Sequence, residues 1–373
     1  MWIEEAVASR PEYKANTYIL RRTSTTHRDQ DKFNHTTEML TCRYQQLAEL
    51  IEVIEKIGKD TNIKVFFMDC WSIGAEGVTY LRDLEGYRIK IEGFFHAGCW
   101  DSDDRLYKAG ISYWGEHFEK MILSCFDKIY VGSDYSKDLI SSVYPSITGT
   151  LPKEEYIKVS PIPVITKAEM EEEVSKNEQS KLSSGILHKA KGKKIIFFPH
   201  RLSDEKGVAE WKTFKRIAEK TGLYYPVDAS DFDTPLTKVQ YYSLLLNTYA
   251  VVSFSKQETF GICIWEAVYA GAYVCLPEKL SYTSEGLRKL SGFGKDGEKL
   301  PVIYYSEKAL VLEDSRCKKS SLVDLANDVL HRLTSLTNFA ARDSKDTLEE
   351  INSLKPLQHN TTSTRFSWLF ERG

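Results

Sequence analysis

The sequence predicts an α/β protein of two domains, each built on a mainly parallel sheet. Three observations predict it. Short apolar runs alternate with longer amphipathic stretches, the pattern of strand–helix units. The alternation stops at a charged, polar stretch, AEMEEEVSKNEQSKLSSG, and then restarts. The length, 373 residues, suits two domains of ordinary size.

In the first half, strands are expected at residues 17–20, 64–68, 89–95 and 128–131. Between the first two, Leu40, Leu47, Leu50, Ile51 and Ile54 recur at helical spacing and predict a helix over residues 36–57. A second helix is expected over residues 114–126. Ser133 and Asp134 are suited to cap a third, running into Leu139 and Ile140. Residues 145–163 are rich in Pro, Gly and Thr, and IKVSPIPV within and beyond them reads as a crossing strand. Residues 168–193 read as a helix plus linker. The second half then offers strands at residues 194–198, 223–227, 249–254, 272–276 and 302–305.

The expected division is an N-terminal domain over residues 1–165, a linker over 166–192, a C-terminal domain over 193–350 and a closing segment over 351–373. One element departs from a Rossmann pattern. The run TYILRR leads into TSTTHRDQDKF, which has no glycine for a phosphate-binding turn. The first domain is therefore expected to be abbreviated or rearranged.

Composition excludes several classes. Hydrophobic residues make up 42% and charged residues 28%, so a packed core forms and disorder is not the default. The net charge of -3 gives no whole-chain basic field for gripping nucleic acid, although a local basic groove stays open. The seven cysteines form no C-x-x-C pair and read as reduced, mostly buried thiols of a cytoplasmic protein. MWIEEAVASRPEYK carries early acids and no apolar core, unlike a secretory signal. Apolar runs stay short of the roughly 18 residues a membrane helix needs, so no membrane partner is expected.

The chemistry concentrates in the second half. In AVVSFSKQETFGICIWEAVYAGAYVCLPEKLSY a buried strand ends, a polar loop follows, and a helix starts near Gly261. Free N–H groups at a helix start bind anions, and a glycine there lets a ligand approach the backbone. Glu258 lies in the loop and Glu266 in the helix, with seven residues between them. Glu266 falls roughly 7–8 Å along the axis from Gly261. That separation suits one carboxylate on a sugar and one on a ribose of the same ligand. A solvated Glu258 and a capping Glu266 are the plainer alternative. In IIFFPHRLSDEKG an apolar strand meets His200, Arg201 and Lys206. A guanidinium fork and a point charge both suit a diphosphate. Local pairing with Asp204 and Glu205 is the alternative.

In the first half, IEGFFHAGCWDSDDR places His96 after an apolar run. It suits a contact to a sugar hydroxyl or an acceptor, or a structural role. Asp101, Asp103 and Asp104 are expected to face solvent or the acceptor rather than a metal. Asp69, after VFFM, is expected to cap its own loop. Trp71, Trp100 and Trp114 are candidates for stacking. The basic run HKAKGKK is expected to be a solvated edge.

The Glu258–Glu266 segment resembles the E-x7-E region of retaining family-4-type glycosyltransferases, and Arg201 and Lys206 match that family's Arg and Lys spacing. The resemblance implies the GT-B fold, two Rossmann-like domains facing a central cleft. It implies a nucleotide sugar as co-substrate, a UDP-sugar, with no further cofactor and no metal. In this likeness Glu258 contacts the transferred sugar and Glu266 the ribose. Phe260 and Gly261 present N–H groups to the donor, with His200 beside them. Arg201 and Lys206 neutralise the leaving diphosphate, and His96 contacts the sugar or acceptor. The tail TTSTRFSWLFERG resembles the family's final helix, which crosses back to the first domain. PHR…DEKG with EAVYAGAYVCLPEKLSY and FFHAGCWDSDDR is similar to enzymes that glycosylate modified nucleobases: phage enzymes acting on hydroxymethylpyrimidines in DNA, which work in the host cytoplasm, and tRNA-queuosine mannosyltransferases. A DNA partner would use Arg21, Arg22, Arg28, Lys32 and Arg105 on phosphates and Trp100 on an extruded base. A tRNA, small-molecule or glycan acceptor stays open, as does a sugar-phosphate phosphorylase or epimerase on the same fold.

Overall fold

Apolar runs of three to five residues such as AVV and YVCLP are too short for a helix and bury side chains on both faces, so they are stable as covered parallel strands. That is how the chain uses them in the computed structural model, which describes residues 7–8, 10–20, 36–71, 73–144, 156–176, 182–232, 234–291, 300–305 and 318–335. Two compact units divide between Ser160 and Pro161.

In the first unit a four-stranded sheet runs in the order β1 (Ile63–Phe67), β2 (Ile89–Phe94), β3 (Lys128–Val131) and β4 (Ile157–Val159). Every pairing is parallel. Helix α1 (Thr36–Ile57) precedes the sheet. Helices α2 (Ala75–Asp83), α3 (Ser112–Cys125) and α4 (Asp134–Val143) link the strands in turn. Ser133 caps α4, its Oγ accepting the Ser136 N–H at 3.3 Å. Ile91, Ile122, Leu123, Ile129 and Ile140 form the center of the core.

In the second unit the order is β6 (Tyr224–Val227), β5 (Lys194–Phe197), β7 (Ala250–Val252), β8 (Tyr273–Pro277) and β9 (Val302–Tyr305). All four pairings are parallel. The helices are α5 (Lys167–Lys176), α6 (Leu182–Ala190), α7 (Val208–Lys220), α8 (Lys238–Leu246), α9 (Ile262–Tyr269), α10 (Glu285–Lys289) and α11 (Lys318–Ser335). Trp211 of α7 stacks on Phe198 with ring centroids 4.8 Å apart, tying helix to sheet. The chain adds β6 on one side of β5 and then crosses to add β7 on the other. That reversal opens a crevice at the carboxyl ends of β5 and β7, where open α/β sheets bind ligands.

The α/β architecture expected from the sequence is thus present, with two differences in detail. Residues 17–20 form no strand. Tyr18 is 67% exposed, and the Leu20 carbonyl accepts from Gln46 of α1 at 3.2 Å. An apolar run without a buried face or a ladder partner gains nothing from extension. Residues 166–192, expected as a helix plus linker, contain two helices, α5 and α6, within the second unit; α5 packs on α8 and buries Met170. The segment 351–373 lies outside the described residues, among which no helix is long and apolar enough to cross a membrane.

Candidate functional site

The loop after β5 turns sharply. Asp204–Lys206 form one 3-10 turn, and Gly207 starts α7 with φ 74°. A Cβ at Gly207 would stand 2.3 Å from the Phe254 carbonyl oxygen, so only glycine lets this loop press against the end of the β7 segment. The Lys256 N–H donates to the Glu205 carbonyl at 2.8 Å. The loops leaving β5 and β7 are therefore bonded together where the crevice opens.

Their charged side chains meet there. Lys206 Nζ donates to the Gln257 carbonyl at 2.7 Å and lies 3.2 Å from Glu258 Oε2. The two side chains are 12% and 16% exposed. Glu258 Oε1 accepts the N–H groups of Thr259 at 3.2 Å and Gly261 at 3.1 Å, with Phe260 farther at 3.5 Å. Burial alone would raise the Glu258 pKa. The charge of Lys206, with these hydrogen bonds, overcomes it and holds the carboxyl below its ordinary value. Gly261 caps α9 at φ 81°, and a Cβ there would lie 3.0 Å from the Tyr282 ring. The N–H groups expected to face a ligand thus carry an internal anion in this structure.

His200 is 6% exposed and borders the same charges. Its Nδ1 lies 3.7 Å from Cys263 Sγ, and its Nε2 has no partner among the described residues. Burial, together with the Lys206 charge, pushes its pKa down to about 4, so the ring is neutral at pH 7. Glu266 is 8% exposed and accepts from the Tyr241 hydroxyl at 2.9 Å. Burial raises its pKa, opposed by that hydrogen bond and by Lys238. Arg201 stands apart: it is 66% exposed and pairs with Glu205 at 3.3 Å. The local pairing weighed from the sequence is present for Arg201, whereas Lys206 reaches across to Glu258.

Cys263 and Tyr241 escaped the sequence reading. Cys263 meets a residue 63 positions away and Tyr241 one 25 positions away, so no local pattern marks either.

In the first unit, His96 follows β2 and is exposed. Its Nε2 lies 2.9 Å from the Met68 carbonyl, at the end of the neighbouring strand β1, and its ring packs on Phe94 at 4.6 Å. Asp69 accepts the Trp71 N–H at 3.0 Å, the expected loop cap, and pairs with Arg43 at 3.4 Å. Two expectations are corrected. Asp101 and Asp104 are buried rather than solvent-facing, because their Oδ1 atoms hold the N–H groups of Asp103 at 2.9 Å and Leu106 at 2.7 Å. Trp100 is 7% exposed and stacked on Phe95 at 6.4 Å, which withdraws it from any base-stacking surface. Trp71 is partly buried, its Nε1 donating to Glu119 at 2.7 Å. The proposed phosphate contacts Arg21, Arg22, Arg28 and Lys32, and the Arg105 side chain, lie outside the described residues.

No family model matches the sequence, and no curated protein matches it. Solved structures do match. A UDP-forming α,α-trehalose-phosphate synthase from Burkholderia vietnamiensis is similar with TM-score 0.58 at 14% identity, over 91% of this chain and 78% of its own. Sucrose-phosphate synthase from Thermosynechococcus elongatus gives 0.53 at 12%, over 88% and 78%. HepE from Anabaena, solved with UDP and glucose, gives 0.53 at 11%, over 87% and 81%. At these identities the likeness establishes the fold, two Rossmann-like α/β domains of the GT-B class.

Proposed function

We propose that this chain is a glycosyltransferase that moves a sugar from a UDP-sugar to an acceptor hydroxyl with retention of configuration. The observation that carries the reading is the gathering of Lys206, Glu258, His200 and the α9 start at the switch point of the second sheet. Proteins of the same fold are named for UDP-forming synthesis, and one is solved with UDP and glucose, which supports the donor class.

The chemistry follows from charge. When the bond from the sugar to the diphosphate breaks, negative charge develops on the leaving oxygen. Lys206 and Arg201 stabilise that charge, joined by the N–H groups of Phe260 and Gly261 when Glu258, which these N–H groups and Lys206 hold in this structure, turns to the sugar. Glu258 is ionised and accepts sugar hydroxyls, and Glu266 accepts the ribose hydroxyls. His96 contacts the sugar or the acceptor. These cations and the helix start take the role a divalent ion would play, so turnover is expected to survive exhaustive EDTA treatment.

The acceptor we test first is a hydroxymethylated base in DNA, on the sequence resemblance alone; the burial of Trp100 removes its stacking partner from that picture. Sugar phosphates form the second arm, because one neighbour is solved with glucose-6-phosphate. The experiment incubates the full chain with UDP-, GDP- and ADP-sugars and a panel of acceptors. The panel holds hydroxymethylcytosine DNA, hydroxymethyluracil DNA, queuosine tRNA, glucose 6-phosphate and a simple phenol. Products are weighed by mass spectrometry and the anomeric configuration is read by NMR. Consumption of no donor, with or without acceptor, sinks the enzyme reading. Transfer to a sugar phosphate alone moves the acceptor away from DNA and leaves the donor site standing.

A further inference from the structure

The His200 imidazole is a buried polar group with one nitrogen unmatched. Native interiors satisfy such atoms because an orphaned buried polar group lowers stability. Nε2 finds no partner among the described residues, while Nδ1 faces Cys263 Sγ at 3.7 Å. The ring sits in the loop between the core residue Phe198, whose ring it meets edge-on at 5.1 Å, and the cations Arg201 and Lys206. Cys263 lies in the first turn of α9, beside the N–H groups that hold Glu258. An orphaned nitrogen on a buried ring that borders Lys206 and the first turn of α9 is a polar contact kept for a ligand.

Resting on the donor reading above, we propose that the Cys263 thiol donates to His200 Nδ1, fixing the imidazole proton on Nε2, and that Nε2–H then donates to a phosphate oxygen of the nucleoside diphosphate. Two features favour this direction. Burial, followed by the charge of Glu258, pushes the Cys263 thiol pKa up, so sulfur keeps its proton and has one to give. A second positive charge beside Lys206 is unfavourable, so a neutral ring that still offers an N–H suits the pocket better than an imidazolium. The ring tautomer of a histidine is set by whatever binds its other nitrogen. Cys263 is thus a positioning residue: it touches no substrate, and it decides whether His200 can donate.

The test uses full-length protein labelled with 15N-histidine and two ligands, UDP and uridine. In wild type without ligand, Nε2 should carry the proton and Nδ1 should show the shift of an unprotonated nitrogen. UDP should move the Nε2 signal, and uridine should leave it unchanged. By calorimetry, His200→Ala should weaken UDP about ten-fold or more, the worth of a hydrogen bond to a charged group, with uridine affinity unchanged. Cys263→Val should weaken UDP several-fold and shift the tautomer, and Cys263→Ser, which still has a proton to donate, should restore both. If the valine variant does not fold, the wild-type tautomer and the serine variant still decide. A proton found on Nδ1, unchanged UDP affinity in His200→Ala, or equal losses for serine and valine would overturn the proposal. Failure of the wild type to bind UDP, GDP or ADP overturns the donor reading and this contact together. Binding by wild type with unaltered His200→Ala overturns the contact alone.

Discussion

Lys206→Met removes the cation that faces Glu258 and keeps most of the side-chain volume. Two interactions disappear, the 2.7 Å bond to the Gln257 carbonyl and the 3.2 Å pairing with Glu258. Stranding one partner of a fully enclosed ion pair costs about 3–5 kcal/mol. Glu258 keeps its bonds from Thr259 and Gly261 and touches water at one edge, so about 2–3 kcal/mol is expected here. The effect has a pH signature. In wild type the Glu258 pKa lies below the ordinary value of 4.5. A depressed carboxyl contributes stability that is present above its unfolded pKa and lost as pH falls through the folded value. In the variant, burial is less opposed and the carboxyl protonates at higher pH. The gap between the proteins should therefore be widest near pH 7 and close toward about pH 4. Urea titrations read by hydrogen exchange in peptides spanning β7 and α9 report on the second unit by itself. Glu258→Gln completes a double-mutant cycle, with an expected coupling of about 1–3 kcal/mol. A loss below about 0.5 kcal/mol at pH 7, or a gap constant down to pH 4, would refute the account of this pair.

Three further perturbations separate folding from function. Arg201→Ala should leave stability within about 0.5 kcal/mol, as for an exposed pair, and cut turnover roughly 100-fold; near-wild-type kcat removes Arg201 from the site. Gly207→Ala and Gly261→Ala both force a side chain into left-handed backbone, at about 1–2 kcal/mol each. Gly207→Ala also meets the Phe254 carbonyl at 2.3 Å, whereas Gly261→Ala meets a tilting ring at 3.0 Å, so Tm should fall further for the former. Tyr241→Phe removes the hydroxyl that faces Glu266, which should raise the carboxyl pKa further and weaken uridine binding about 3- to 10-fold; calorimetry with uridine checks it, and unchanged affinity dissociates Glu266 from the ribose.

Much of the fold could be read locally. The stretches 36–57, 128–131 and 302–305 are bounded by their own patterns, and the structure places elements over the same residues. Residues 17–20 carry an equally apolar signature, but a strand is a property of a pair, and that run lies beside a helix instead. At the site, sequence spacing singled out residues that share a strand–loop–helix segment, and the structure brings Lys206, Glu258, Gly261 and His200 together. It left out Cys263 and Tyr241, whose relevance exists only after packing. It also read Trp100 and the Asp101–Asp104 run by residue type. Type says what a side chain can do, while burial decides what remains available for it to do.

The 2.8 Å bond between the Lys256 N–H and the Glu205 carbonyl constrains anyone who would re-engineer this chain. The bond uses main-chain atoms, so only proline at residue 256 deletes its donor, and exchanging the two side chains leaves both of its atoms in place. Together with the absent side chain at Gly207 and the reach of Lys206, it mates the segments 199–207 and 254–261, which lie in two parts of the sequence. Grafting either segment alone from a relative would import one half of a mated surface. A transplant that exchanges both at once carries its own registration with it, and such a cassette is the natural unit for remodelling the end of this sheet.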